Sequence, residues 1–454
     1  MPPYSVPGDS APVAPVGPMR EAWYFAGVAA AALAVAGIGG VAAETDPDAA
    51  AASDSRRVMA FMYLWYGDAS TNYSHWDHEV LPHWTDAENE KYKDAVGKRF
   101  APPHEIHAPF WPRRGLYRSD DPKVLSSQME EMRSAGIGVA VISWWGRPDV
   151  PGTHDTQGVS TDAAVPAVLE AAAKQGMSVA FHLEPYEGRT AETVAEDVAY
   201  IRERYGSHPA VFRSTKAALA DRSPAGCAAS VAVPQSEGGE PVFFVYDSYH
   251  VSPTDWASVL VAPGALAGKG VFLGLVLEHR QVSQLAQGGF DGGYPYFATN
   301  GFSFGSTTAN WATATREMTA NGLVFVPSVA PGYDDRRIRP WNGRVLRLRA
   351  GGAYYESMWR AAIAASGGPC AVVSITSYNE FGEGTNIESS VPHTVERGQG
   401  IEGSMREALG NAGSRVSQDF GETGPFSYLA MTRAFAARVM GPPVRLERPP
   451  SDEL

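Results

Sequence analysis

The run Ala371-Val372-Val373-Ser374-Ile375-Thr376-Ser377-Tyr378-Asn379-Glu380-Phe381-Gly382-Glu383 passes from apolar to acidic within a dozen residues. An apolar start without alternation fits a strand buried on both faces, as in a parallel sheet covered by helices. Working outwards, seven more runs rich in Val, Ile, Phe and Tyr occur at 58–66, 138–145, 178–186, 242–249, 271–278, 290–297 and 323–329. Helical periods fall between most of them. The spacing of Val124, Leu125, Met129 and Met132 predicts a helix over 122–135, and Val194, Val198, Ile201 and Tyr205 predict one over 190–205. Further helices are expected at 311–321, 353–366 and 428–440. Gly206, Gly322 and Gly367 stand where a left-handed residue would end a helix. Eight strands alternating with helices imply an α/β fold. We read it as a (β/α)8 barrel, a single catalytic domain over 58–441 with long loops at the C-terminal face. An open doubly wound sheet is the alternative, but no GxGxxG follows the first run.

Polar and aromatic residues crowd the C-terminal ends of these runs. They include Tyr66, Trp145, His182, Glu184, Tyr186, Asp247, Tyr249, Tyr296, Asn300 and Asn379. Barrel active sites are built at that face. Glu380 and Glu383 are the best candidate catalytic pair, because glycoside hydrolysis uses two carboxyl groups beside the scissile bond. Three residues apart on a strand they would face opposite ways; Gly382 is expected to let the chain turn so that both enter one cleft. A lone Glu-x-x-Glu reads as two solvated glutamates; the apolar strand before it and the aromatic lining reverse that reading. His182 reads equally well as a core histidine. His75 and the pair His83-Trp84 either close the cleft or pack the first long loop down.

The 454 residues carry 37 Lys and Arg against 50 Asp and Glu, a net charge of -13, which argues against a nucleic-acid partner. The two cysteines, Cys227 and Cys370, have no metal-ligand spacing and read as unpaired thiols. After a tail at 1–21, residues 22–43 form an uncharged, Ala-, Gly- and Val-rich stretch. It is either a signal anchor, giving a type II membrane protein, or a cleaved signal peptide. A linker at 44–57 follows. The tail at 442–454 ends Ser451-Asp452-Glu453-Leu454, similar to a retrieval signal that a receptor would read. Both ends point to the secretory lumen, in the Golgi or endoplasmic reticulum, with the membrane as partner if the first segment stays uncleaved. Asn72-Tyr73-Ser74 is one glycosylation acceptor.

The body also resembles the endo-α-1,2-mannosidases of glycoside hydrolase family 99. The matching runs include Tyr63-Leu64-Trp65-Tyr66-Gly67, Val80-Leu81-Pro82-His83-Trp84, Phe181-His182-Leu183-Glu184-Pro185-Tyr186, Tyr246-Asp247-Ser248-Tyr249, Ile338-Arg339-Pro340-Trp341-Asn342 and 374–383. The stretches 214–240 and 392–417 depart from the family pattern. The resemblance implies a barrel, no catalytic metal or other cofactor, and retention of anomeric configuration. It implies that Glu380 acts as base on the substrate 2-hydroxyl, that a 1,2-anhydro sugar forms, and that Glu383 protonates the leaving oxygen. Arg339, Trp341 and Asn342 would line the leaving-group side, and Arg339-Pro340-Trp341 reads equally well as loop packing. The expected partner is a mannose-containing oligosaccharide or glycoprotein glycan, above all a glucosylated high-mannose N-glycan. An endo-mannanase on extracellular mannan and a non-catalytic lectin on the same barrel are the competing readings.

Overall fold

The computed structural model describes residues 55–223, 229–392 and 424–440. Eight parallel strands form one ring: β1 (Val58–Met62), β2 (Val139–Trp144), β3 (Ser178–Leu183), β4 (Glu240–Val245), β5 (Val271–Leu275), β6 (Gly292–Tyr294), β7 in two pieces (Val324–Phe325 and Ser328–Val329) and β8 (Val373–Ile375). β1 lies between β8 and β2, with Val58 opposite Val373 and Met59 opposite Val139. The first piece of β7 pairs with β6 and the second with β8, so the ring closes through this segment. Pro327 sits at the break and has no N–H to give to a ladder. All eight expected runs are strands, but shorter than read. Their last residues leave the ladder and turn into the mouth.

Eight helices follow the strands in alternation: α1 (Pro122–Ser134), α2 (Val165–Lys174), α3 (Ala191–Arg204), α4 (Pro253–Leu260), α5 (Gln281–Gly288), α6 (Trp311–Ala320), α7 (Ala353–Ala365) and α8 (Ser427–Val439). Their starts follow local chemistry. Asp121 accepts the Lys123 N–H ahead of Pro122, Thr190 and Thr193 cap each other, and Ser252 accepts the Asp255 N–H. The sequence reading missed α2, α4 and α5. Two have only eight residues, about two turns, and α2 is alanine-rich, so periodicity is weak. Gly322 and Gly367 take the left-handed conformation as expected. Gly206 does not; it is glycine because a Cβ there would lie 2.3 Å from the Arg202 carbonyl oxygen.

The barrel interior below the mouth is filled by rings. Phe61 packs on His182 at 4.7 Å, Phe244 at 5.4 Å and Tyr294 at 5.7 Å between centroids. His182 Nε2 is 2.8 Å from the Tyr294 hydroxyl. This layer forms a packed floor.

Two devices hold the segment after β8. Ser390–Pro392 pairs antiparallel with Phe110–Pro112. Behind it lies a buried charge network. Arg114 bonds Glu388 at 2.5 Å and Glu131 at 3.1 Å, the Tyr117 hydroxyl donates to Glu388 at 2.7 Å, and Glu131 accepts from Ser389 N at 2.8 Å. Burial pushes the Glu388 carboxyl up to about 7 even with Arg114 beside it. Arg349, also buried, donates from Nη2 to the carbonyls of Gly384 at 2.9 Å and Asn386 at 2.6 Å.

One expectation is overturned. Cys370 is disulfide-bonded, not a free thiol; Cys227, the chain's other cysteine, lies outside the described residues. The terminal segments 22–43 and 451–454 and most of 392–417 also lie outside them. Among the described residues no helix is long and apolar enough to cross a membrane.

Removing one partner of a buried ion pair strands the other charge and costs about 3–5 kcal/mol. Glu388→Ala should therefore lower unfolding free energy by an amount of that order in a denaturant titration. A loss below about 1 kcal/mol would mean that the network does not hold the segment.

Candidate active site

β8 delivers Glu380 to the mouth, where its residue is only 7% exposed. The Glu380 N–H donates to Ser377 Oγ at 2.7 Å, and its Oε1 accepts the Glu383 N–H at 3.1 Å. Its Oε2 is buried with no partner in the protein. A buried acceptor left open points to a group that arrives with a ligand. Glu383 is partly exposed; its Oε1 lies 3.8 Å from Arg339 Nη1, and its carbonyl accepts the Asp334 N–H at 2.8 Å. The expected role of Gly382 needs correction. The left-handed residue of this turn is Gly384, with φ at 60°. Gly382 is required for space: a Cβ would stand 2.9 Å from both Glu380 Oε1 and the His107 ring.

Burial raises both carboxyls above the ordinary glutamate range. Glu380 is pushed further by the charge of Glu383; Arg339 holds Glu383 down, against Asp335 and Glu184. The pair thus tends to keep a proton near neutral pH.

Asn379 was expected to meet substrate, but both ends of its amide are committed to the protein. Its Oδ1 accepts the Tyr63 N–H at 2.7 Å, and its Nδ2 donates to the Tyr63 carbonyl at 2.9 Å and the Tyr117 hydroxyl at 3.2 Å. Tyr66 is similar: its hydroxyl donates to the Asn379 carbonyl at 3.0 Å and accepts the Phe381 N–H at 3.1 Å. Both residues position the Glu380 turn. Asn342 donates to Asp335 at 2.8 Å. Asn300 accepts the Thr308 N–H at 3.1 Å, and the Tyr186 hydroxyl donates to Asp197 of α3 at 2.5 Å. These three also have polar atoms turned to the protein.

Opposite the pair, β3 supplies Glu184. It accepts from Ser143 Oγ at 2.8 Å and lies 3.0 Å from His182 Nδ1. His182 is 1% exposed and belongs to the floor, with its second nitrogen turned toward Glu184. Asp247, at a left-handed φ of 48°, accepts from the Tyr249 hydroxyl at 2.8 Å, while Arg189 donates to the Asp247 carbonyl at 3.0 Å. Burial raises Asp247 as well. The hydroxyls of Tyr63 and Tyr296 touch, and both feel the charges of Glu380, Glu383 and Glu184. From the β7 loop, Asp335 accepts from Arg339 at 3.0 Å and Tyr333 at 2.9 Å, and Trp341 donates to the Leu81 carbonyl at 3.3 Å.

Trp65 stacks on His75 at 4.5 Å and 6°, and His75 Nε2 is 2.5 Å from Asp155. Trp145 is buried with its indole N–H unpartnered. The structure therefore gathers Glu380, Glu383, Glu184, Tyr296 and Arg339 around one cleft, with Asp247 and Tyr249 adjoining Glu184 through Arg189. Sequence reasoning missed Tyr63, Tyr333, Asp335 and Arg189. Asp335 had a signal, an acid four residues before Arg339. Tyr63 read as part of an apolar run and of a run that matches the family, with no site role of its own.

Residues 54–402 match the profile of "Glycosyl hydrolase family 99". The mouse "Glycoprotein endo-alpha-1,2-mannosidase-like protein" is 40% identical over 365 residues, 78% of this chain and 74% of its own. The mouse "Glycoprotein endo-alpha-1,2-mannosidase" is 39% identical over 342 residues, 74% and 68% of the two chains. The solved GH99 endo-alpha-mannosidase from Bacteroides thetaiotaomicron superposes with a TM-score of 0.66 at 31% identity, covering 84% of this chain and 97% of that one. With a buried and a half-buried acid at the mouth of a closed barrel and these relatives over most of its length, the chain belongs to glycosyl hydrolase family 99 and is a glycoside hydrolase.

Proposed function

We propose that the enzyme is a retaining endo-α-1,2-mannosidase that cuts an internal mannosyl linkage of glucosylated high-mannose N-glycans. The observation that carries this reading is the coupled pair, with Glu380 Oε2 open and Arg339 beside Glu383. In an α-mannoside the 2-oxygen and the leaving oxygen are trans across the C1–C2 bond. The 2-oxygen can therefore attack C1 from behind once it loses its proton. Glu380 takes that proton, the O2–C1 bond forms, the C1–leaving-oxygen bond breaks, and Glu383 protonates the departing oxygen. In the second half Glu383 takes a proton from water, the water oxygen bonds C1, and Glu380 returns its proton to O2 as the three-membered ring opens. Two inversions give net retention. Both acids return to their starting states.

This sequence needs the shared proton on Glu383. In the free enzyme the larger upward push falls on Glu380. A 2-hydroxyl donating to Glu380 stabilises its anion and moves the proton to Glu383. Glu184, Asp247, Tyr249, Tyr296 and Trp145 would hold the sugar at the cut, with His182 beneath them orienting Glu184, and Arg339 and Trp341 the leaving side. A lectin would have no use for a coupled acid pair. A mannan-degrading role keeps the same chemistry and differs in the polymer.

Glu380→Gln and Glu383→Gln should each lower turnover of a high-mannose glycan by roughly 10² to 10⁴, the usual contribution of an acid–base group. Near-normal release of oligosaccharide by either variant, read by mass spectrometry, would sink the assignment. A donor methylated on its 2-oxygen should be inert; its hydrolysis would instead indicate direct attack by a carboxylate.

The active form carries one proton on the pair. At low pH both acids are protonated and the base is lost; at high pH both are ionised and the acid is lost. Because burial raises both, the bell-shaped kcat/KM profile should lie above the ordinary glutamate value of about 4.3. Arg339 holds Glu383 down, so Arg339→Leu should move the basic limb to higher pH. An optimum near pH 4, or an unmoved limb, would contradict this account.

The proposal extends to location. The uncharged, apolar stretch 22–43 supports a body that faces the secretory lumen, in the Golgi or endoplasmic reticulum. Protease added to sealed microsomes should leave the body intact; digestion without detergent would defeat this reading.

A further inference from the structure

Three rings meet where the first long loop touches the β7 loop. His83 lies against one face of Trp84, with centroids 3.7 Å apart at 31°. Trp341 meets Trp84 edge-on at 5.2 Å and 79°, and His83 at 4.9 Å and 78°. The loop is braced. His83 N donates to Asn89 Oδ1 at 2.6 Å, Asn89 Nδ2 returns a bond to the His83 carbonyl at 2.7 Å, and Thr85 N donates to His83 Nδ1 at 3.1 Å. Leu81 N donates to the Ile338 carbonyl at 2.7 Å, tying this loop to the one that carries Arg339. Trp84 is nevertheless 50% exposed, more than any other large hydrophobic side chain among the described residues.

A tryptophan needed only for packing would turn inward, because an indole left in water forgoes its burial energy. Here one face is backed by imidazole, one edge is braced by a second indole, and the rest meets solvent. Trp341 stands two residues from Arg339, whose guanidinium reaches Glu383. The platform therefore adjoins the catalytic cleft on the Arg339 side. A flat, rigid, half-covered indole suits the C–H face of a pyranose, which offers an apolar patch ringed by hydroxyls.

We propose that the open face of Trp84 is a distal subsite for a sugar of the leaving-side oligosaccharide, beyond the unit that Arg339 borders. This rests on the endo action proposed above. The test compares two substrates in wild type, Trp84→Ala and Trp84→Phe. One is a high-mannose glycan. The other is an α-mannosyl-1,3-mannosyl fluoride, which carries no sugar on the leaving side. The ratio of kcat/KM for glycan over fluoride should fall roughly tenfold in Trp84→Ala, about 1.4 kcal/mol, mainly through KM, and should recover in part in Trp84→Phe. A ratio within twofold of wild type overturns the subsite, whether both rates hold or both fall together as a merely structural role requires. If wild type hydrolyses the fluoride but not the glycan, the endo reading fails on its own. Calorimetric titration of Glu383→Gln protein with the same glycan, with and without Trp84→Ala, then decides the platform: equal affinities overturn it, and weaker binding by the double variant supports it.

Discussion

Much of the site depends on one side-chain amide. Asn379 closes two hydrogen bonds onto the backbone of Tyr63, joining the end of β8 to the end of β1 just past their last ladder pairs. The bond pair is buried, so breaking it would leave the Tyr63 N–H and carbonyl unsatisfied, at about 1–3 kcal/mol for each group. Glu380 is the next residue. Tyr66 adds a second link from β1, taking the N–H of Phe381 and giving its own proton to the Asn379 carbonyl. The acidic turn is thus fastened to the neighbouring strand before any loop contact is counted. A catalytic group needs placement within a fraction of an ångström, and a strand end can supply it where a free loop cannot.

Fastening leaves an electrostatic difficulty. Glu380, Glu383, Glu184, Asp247 and Asp335 converge on one mouth, and four of the five are buried. Two arginines offset them. Arg339 serves Asp335 and Glu383, while Arg189 is turned to the Leu183 and Asp247 carbonyls and feels the charges of Asp247 and Glu184. Burial, which the arginines do not fully offset, raises Asp247, Asp335, Glu380 and Glu383, and the charge of Glu383 adds to the push on Glu380. That residue of unfavourable charge is useful. An enzyme that must hold a proton on one of two adjacent acids near neutral pH has to make the doubly ionised state costly.

Legibility followed the strength of the local signal. The eight strand runs could be read because burial on both faces demands unbroken apolar sequence. The longer helices could be read because thirteen or fourteen residues show period and cap together, as in α1 and α3. Eight-residue α4 and α5 gave too few turns. In the site, the carboxylate pair stood out against its apolar strand. The split between residues that hold the site and residues left open to a ligand was invisible. Asn379, Tyr66 and Asn342 look like sugar ligands in sequence, and only three-dimensional partners show their polar atoms already engaged. The buried network of Arg114, Glu131 and Glu388 was unreadable for the same reason, since its members lie as much as 274 residues apart.

That split is itself an argument about the chemistry. Buried polar atoms in a stable fold have partners almost without exception. Around this mouth the exceptions include Glu380 Oε2, Asp335 Oδ1 and the indole N–H groups of Trp65 and Trp145. Of these four, two are acceptors and two are donors, set on strand ends or loops from β8, β7, β1 and β2. A sugar carries hydroxyls that both donate and accept around one ring, so one molecule could meet such scattered, opposite demands. A purely anionic ligand would find acceptors facing acceptors. The engaged residues supply rigidity and the unengaged atoms are left for the substrate. The fold bears the desolvation of the latter through the bonds made by the former.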